Sequence, residues 1–104
     1  MIYSASVIRV IDGDTVEVNI ELIGFEMYCF RDIRLEGVYA PEIRGKEKEA
    51  GRAIAKRLRE KVPVGSTVGV VASGIDSFGR IIGDILIDGE SIADTVNSWM
   101  KKSS

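Results

Sequence analysis

From Ser6 to Leu22 the chain reads SVIRVIDGDTVEVNIEL. Ser6–Ile11 is rich in β-branched residues, and Asp12-Gly13-Asp14 has the composition of a turn. Thr15–Leu22 then alternates, with Val16, Val18, Ile20 and Leu22 on one face and Glu17, Asn19 and Glu21 on the other. Period-two alternation marks a half-buried strand, so the stretch predicts a strand, a tight turn and a second strand. Gly24 marks the next turn, and a third strand is expected from about Phe25 to Val38, with Phe25, Tyr28 and Phe30 as strand-packing aromatics. Its length calls for a bulge or bend of the kind small barrels need.

Pro41 ends that segment, because the residue before a proline is pushed away from helix. A helix should follow, with Ala50, Ala53, Ile54, Leu58 and Val62 as its apolar stripe, stopped at Pro63 and Gly65. Thr67–Ala72 reads as a fourth strand, Gly74–Gly79 as a loop and Arg80–Ile87 as a fifth strand. Asp88-Gly89 turns the chain, Ser91 is placed to cap a short helix ending near Met100, and Lys101–Ser104 should fray. Five strands with a helix between the third and fourth predict a mainly β, α+β protein built on an OB-fold barrel. An open sheet with two helices on one face is the alternative.

The 104 residues suffice for one domain, 1–104. An apolar fraction of 45% against 29% charged is that of a globular chain rather than a disordered one. There is no histidine, which excludes Ser-His-Asp and Cys-His catalysis and every histidine metal site. The lone Cys29 forms no intrachain disulfide and reads as a small core hydrophobe rather than a nucleophile. A metal would therefore be held mainly by oxygen, which selects hard cations. The N-terminal Met1–Ser6 has no leader-like pattern and no apolar run is long enough to span a bilayer, so a cytoplasmic, non-membrane protein is expected. Net charge is −2, yet Arg44–Lys61 holds eight basic and three acidic residues, leaving −7 for the remainder. That stretch is either the solvated face of an amphipathic helix or a surface for a phosphate backbone.

Three blocks carry chemistry: Ile11-Asp12-Gly13-Asp14-Thr15-Val16, Ile33 to Glu42 (IRLEGVYAPE) and Asp76-Ser77-Phe78-Gly79-Arg80. Two carboxylates around a glycine can bring oxygen ligands to one cation, arginines can grip phosphate oxygens bidentately, and a separate glutamate can act as general base toward water. The blocks' order, spacing and strand contexts resemble the staphylococcal-nuclease family from about Val7 to about Val96. The resemblance implies calcium-dependent hydrolysis of phosphodiester bonds in DNA or RNA by a monomer without a small-molecule cofactor. Residue by residue it implies Asp14, the Ala40 carbonyl and the nearby Asp12 as metal ligands, Arg34 and Arg80 as phosphate-binding catalytic residues, and Glu42 as general base.

The chain departs from that family at several positions. Tyr39 stands where the family has its second metal carboxylate, which removes one charge from the metal's ligands. Asp12 or Glu36 could compensate, or the site could prefer magnesium or manganese. Ser77 and Phe78 replace a lysine and a tyrosine, and the family's third helix has no counterpart, so Tyr39, Phe78 and Trp99 are the candidate stacking surfaces for a base. A catalytically impaired module of the same fold, binding nucleic acid or protein, is the alternative function. Each motif residue also has a structural reading: a tight turn for Asp12 and Asp14, pairing with Glu36 or Asp32 for Arg34, pairing with Asp76 or Asp84 for Arg80, and a helix-terminus charge for Glu42.

Overall fold

The alternation predicted for Thr15–Leu22 is realised from Val16 to Ile20, with Val16, Val18 and Ile20 buried and Glu17 and Asn19 on the outer face, whereas Leu22, expected on the buried face, is exposed at the end of the strand. The computed structural model describes residues 1–22 and 26–101. Within them lie β1 (Ile2–Asp12), β2 (Thr15–Leu22), β3 (Met27–Leu35), α1 (Lys48–Lys61), β4 (Thr67–Ile75), β5 (Ile81–Ile87), β6 (Glu90–Ser91) and α2 (Ile92–Lys101). A 3-10 turn at Gly45–Glu47 precedes α1. The expected turn at Gly24, the packing of Phe25 and the tail after Lys101 lie outside the described residues.

β1 pairs antiparallel with β2 and β4, β2 with β3, and β4 with β5. A short parallel pairing of Ile33–Leu35 with Ile81–Gly83 then joins β3 to β5 and closes the sheet. That closure makes a five-stranded OB-fold barrel, with α1 between β3 and β4, and excludes the open-sheet alternative. β6, which the sequence did not foreshadow, pairs with the end of β5. Asp88 and Gly89 both take positive φ, +50° and +79°, as a primed two-residue hairpin turn requires, so the turn read there folds the chain straight back onto β5.

The bends fall elsewhere than expected. β3 ends at Leu35 and pairs with β2 over eight residues without a register shift. The irregularities lie in β1, at Val7/Arg9 and Val10/Asp12, and in β4 at Ala72/Gly74. β1 is the strand that must serve β2 and β4 at once, and an inserted residue raises local twist.

Val7, Val16, Val18, Ile33, Leu35, Val70 and Ile85 fill the barrel, and Leu58 of α1, Val62 just after it, and Ile92 and Val96 of α2 seal it. Burying each such side chain is worth about 1.5–3 kcal/mol. The buried face of α1 is rotated from the expected stripe: Gly51, Ala55 and Leu58 are buried and Ile54 partly so, whereas Ala50 and Ala53 are exposed. The reason is Gly51, where an added Cβ would lie 2.1 Å from the Glu42 carbonyl oxygen. The helix approaches the Pro41–Glu42 backbone so closely that only a missing side chain fits, and hydrophobicity alone does not register that position.

α2 starts as expected. Ser91 Oγ accepts the Asp94 N–H (3.1 Å), while Asp84 accepts the Ala93 N–H (2.9 Å) and the Ser91 hydroxyl. Asp84 is thus occupied in anchoring α2 to β5. Trp99 packs against the core beneath the Arg57 guanidinium, 4.5 Å from its ring. Cys29 is half-buried rather than a core residue and lines an apolar groove at the barrel end remote from the Asp12–Asp14 turn. No helix of the described residues is long and apolar enough to cross a membrane.

Candidate functional site

The β1–β2 turn packs against two later segments. A Cβ on Gly13 would stand 2.7 Å from both Ala40 Cβ and Ile54 Cγ2, so the glycine is there for space; its φ is not positive. Its absence of a side chain sets Ala40 directly against the turn between Asp12 and Asp14. Gly51 likewise seats the Glu42 backbone on α1. Two glycines on different elements thus hold the Ala40–Glu42 segment between the turn and the helix.

Asp12 and Asp14 form one unit. The Asp14 N–H donates to Asp12 Oδ1 (3.1 Å), and the buried Thr15 hydroxyl donates to Asp14 Oδ1 (3.1 Å). The Leu35 N–H donates to the Asp14 carbonyl oxygen (2.8 Å), tying the turn to the end of β3. The β2–β3 register sets Thr15 opposite Arg34, and Arg34 Nη2 lies 3.6 Å from Asp14 Oδ2. Arg34 Nη1 donates to its neighbour's carbonyl, Leu35 O, at 2.7 Å. Burial, then the hydrogen bond and charge of Asp12, push the Asp14 carboxyl up to about 6, against the opposing pull of Arg34 and Thr15. The fold leaves this acid pair short of positive charge.

The arginine readings resolve differently. Arg34 pairs with Asp14 rather than Glu36 or Asp32, and the Ser73 hydroxyl engages Glu36 at 2.9 Å. Glu36 is exposed and thereby linked to β4. Tyr39 is 81% exposed, and its ring lies under Arg34, 5.6 Å from the guanidinium carbon. Arg80 is clamped by Asp76, which accepts from its backbone N–H (3.0 Å), from Nε (2.7 Å) and from the Phe78 N–H (2.8 Å). Phe78 stacks against Arg80 at 5.4 Å and is otherwise exposed.

Arg80 immediately precedes the β5 residue that pairs with Ile33, so the parallel β3–β5 closure brings the third block to the strand carrying Arg34. Arg31 reinforces it by donating to the Gly79 carbonyl (2.9 Å). Asp12, Asp14, Arg34 and Tyr39 form a connected chain of contacts, and Ala40 abuts the turn. The Glu42 carboxylate is exposed and, among the described residues, makes no hydrogen bond or ion pair; it faces a groove of about 280 Å³ shared with Tyr39, Ala40 and Arg44. Neither Glu42 nor Arg80 makes a hydrogen bond or ion pair to the acid pair. Thr15 and the spacing glycines Gly13 and Gly51 were not legible as site residues, although the threonine's position directly after Asp14 is a signal in retrospect.

A cation fits this donor set narrowly. Burial has already cost Asp14 the solvation that ionisation needs, and a divalent ion would restore the balance. Among the described residues, however, no group of three or more acidic or cysteine side chains gathers into a ligating cluster. A cation there would meet the Asp12 and Asp14 carboxylates and would keep most of its waters. No protein-family model matches the chain, and no curated protein matches it.

Proposed function

We propose that the protein is a metal-dependent nuclease that hydrolyses phosphodiester bonds of DNA or RNA. The observation that carries this reading is the half-buried Asp12/Asp14 pair, undercompensated in charge and flanked by Arg34, in a barrel whose closure sets the residue after Arg80 against the strand that carries Arg34. Asp12, Asp14 and the Ala40 carbonyl would hold the ion: calcium by family resemblance, with magnesium or manganese equally suited to so few ligands. Bound there, the ion would polarise a phosphoryl oxygen and acidify a water.

The chain's own groups supply the rest. Arg34 and Arg80 donate hydrogen bonds to the non-bridging oxygens as charge accumulates on them. Glu42, exposed and unpaired, accepts the proton of the attacking water as its oxygen bonds to phosphorus and the bond to the leaving oxygen breaks. Tyr39 and Phe78, each stacked on one of these arginines, offer flat surfaces to a base.

A second reading, a binding module that has lost catalysis, is favoured by Tyr39 and by the small donor set. One assay separates them: cleavage of single-stranded DNA and RNA by wild type and Tyr39→Asp with calcium, magnesium, manganese or a chelator. The nuclease reading expects chelator-sensitive cleavage by wild type, with Tyr39→Asp saturating at about tenfold or more lower cation concentration, the worth of roughly 1.4 kcal/mol. Inert wild type beside an active Tyr39→Asp would establish the binding module instead.

A further inference from the structure

The eight basic residues of Arg44–Lys61 divide into groups. Arg57 lies over the Trp99 ring and Lys61 pairs with Glu90 (3.5 Å), so these two join α1 to α2 and the end of the barrel. Lys46 and Lys48 alternate with Glu47 and Glu49 around one shallow depression, where opposite charges sit side by side. The other four, Arg44, Arg52, Lys56 and Arg59, line a single groove of about 410 Å³ with Ile43 as its apolar wall. None of the four has an ion pair among the described residues. Arg52, Lys56 and Arg59 recur at four and three residues, which stacks them on one helix face over about 10 Å. Like charges so arranged repel, and none is offset by an ion pair among the described residues.

We propose that this groove binds the phosphate backbone of the nucleic acid beside the cleavage site. The inference rests on the nuclease reading for its choice of polyanion. Arg44 lines both this groove and the one at Glu42, so the two surfaces are continuous. The remainder of the chain carries −7 and repels polyanions, so a strand is steered toward this face and away from the others. Guanidinium groups match phosphate bidentately, and a helix row of this length spans two or three successive phosphates. An anionic bilayer is the poorer occupant, because the lining offers no exposed large apolar side chain to insert. The groove therefore makes affinity depend on strand length: contacts outside the cleft add binding that a substrate of two to four nucleotides cannot reach.

The test measures binding apart from cleavage. Anisotropy of a labelled single-stranded DNA of about 20 nucleotides is followed in chelator across a salt series, for wild type and the triple variant Arg52→Gln/Lys56→Gln/Arg59→Gln. Three lost contacts should flatten the slope of log affinity against log salt by about 2, at roughly 0.7 per single-strand phosphate, and weaken binding tenfold or more at low salt. Arg52→Lys/Arg59→Lys, which keeps the charge, should retain most of the slope, and a cooperative thermal unfolding transition of the triple variant excludes a folding defect. Hydrolysis of a tetranucleotide should be unchanged in the triple variant. Equal slope and affinity in wild type and triple variant overturn the proposal, as does groove-dependent binding to phosphatidylserine vesicles without binding to DNA. Groove-dependent DNA binding by a protein that fails to cleave with calcium, magnesium or manganese sustains the groove and removes the nuclease reading.

Discussion

Two aspartate–arginine pairs stand on opposite sides of the β3–β5 closure, and they are electrostatic opposites. Asp76 holds Arg80 at 2.7 Å and accepts two backbone N–H groups as well. Desolvation works to raise its carboxyl, but the Arg80 backbone, the Arg80 guanidinium and the Phe78 N–H outweigh it and hold the group below its ordinary range. Asp14 sits 3.6 Å from Arg34, next to a second carboxylate, and is pushed up to about 6. The same residue types thus make a finished clamp in one region and an unfinished charge balance in the other. The difference lies in what surrounds the carboxylate: backbone donors converge on Asp76, whereas Asp14 meets Asp12. A satisfied pair positions an arginine; under the proposed function the unsatisfied one attracts a cation.

The strongest way to sharpen that contrast is to remove each arginine. Under the proposed function, Arg80→Ala should lower single-turnover cleavage by about 10²–10³-fold with the cation dependence of the remaining activity unchanged. Arg34→Ala should lose a comparable factor in rate but, by leaving Asp14 unopposed, should also tighten the apparent cation affinity. Cation titrations of turnover check both, and equal cation dependence in the two variants would contradict the assignment of roles.

The glycines of the two regions differ in the same instructive way. Gly13 is defined by crowding, Gly79 by its φ of +82° with open space around its Cβ position. Gly13→Ala should therefore cost about 1–3 kcal/mol through overpacking against Ala40 and Ile54. Gly79→Ala should cost about 1–2 kcal/mol through the left-handed backbone alone. Gly79→Asn should recover part of that loss, since asparagine tolerates this conformation, and Gly13→Asn should recover none. Denaturant unfolding of the four variants measures it.

These contrasts mark where the sequence was readable. Alternation over Thr15–Leu22 exposed β2 because burial of one sheet face imposes a period on side-chain polarity, and the β-branched Val7 and Val10 did the same for β1. The three chemical blocks were legible because each is contiguous. What joins them was not: the Ile33–Ile81 pairing and the contact of Gly13 with Ala40 and Ile54 are long-range, and that of Gly51 with Glu42 joins a helix to the segment before it. A glycine chosen for closeness looks the same in sequence as one chosen for a turn. The partners of Arg34 and Glu36 were misjudged for a related reason. Strand neighbours suggested local pairs, but the β2–β3 register brings Asp14 to Arg34, and the closed barrel brings Ser73 to Glu36.

Asp14→Asn tests the unfinished balance directly. A carboxyl whose folded pKa of about 6 exceeds its ordinary 3.8 destabilises the fold when ionised. That cost is absent below about pH 3.8, grows through the window up to about 6 and is constant above it. At neutral pH Asp14→Asn should therefore be more stable than wild type by about 1 kcal/mol, after allowance for solvent screening, and the gain should vanish in acid. The same variant should abolish any rise in Tm on adding calcium or magnesium, which wild type should show. A destabilised Asp14→Asn at pH 7 would mean that Arg34 already compensates the charge.

Asp76→Asn should give the smallest effect and the opposite sign. The wild-type carboxyl titrates below the ordinary 3.8, so the stability it contributes is present above that pH and is lost as pH falls through the lowered value. The substituted amide could still accept the Phe78 and Arg80 N–H groups through its carbonyl oxygen, but it gives up the charged grip on Nε. Wild type should accordingly exceed Asp76→Asn in Tm by a small margin at neutral pH, and the two curves should converge in acid, where those of wild type and Asp14→Asn also meet, from the other side. Because Arg80 is then free to leave its position, cleavage should fall about tenfold with unchanged cation affinity, and Asp76→Glu should restore little, its longer side chain displacing the acceptor from the two backbone donors. Thermal unfolding across pH beside single-turnover rates reads both effects. An Asp76→Asn that gained stability at neutral pH would place this pair in the same class as Asp14 and dissolve the contrast between the two regions.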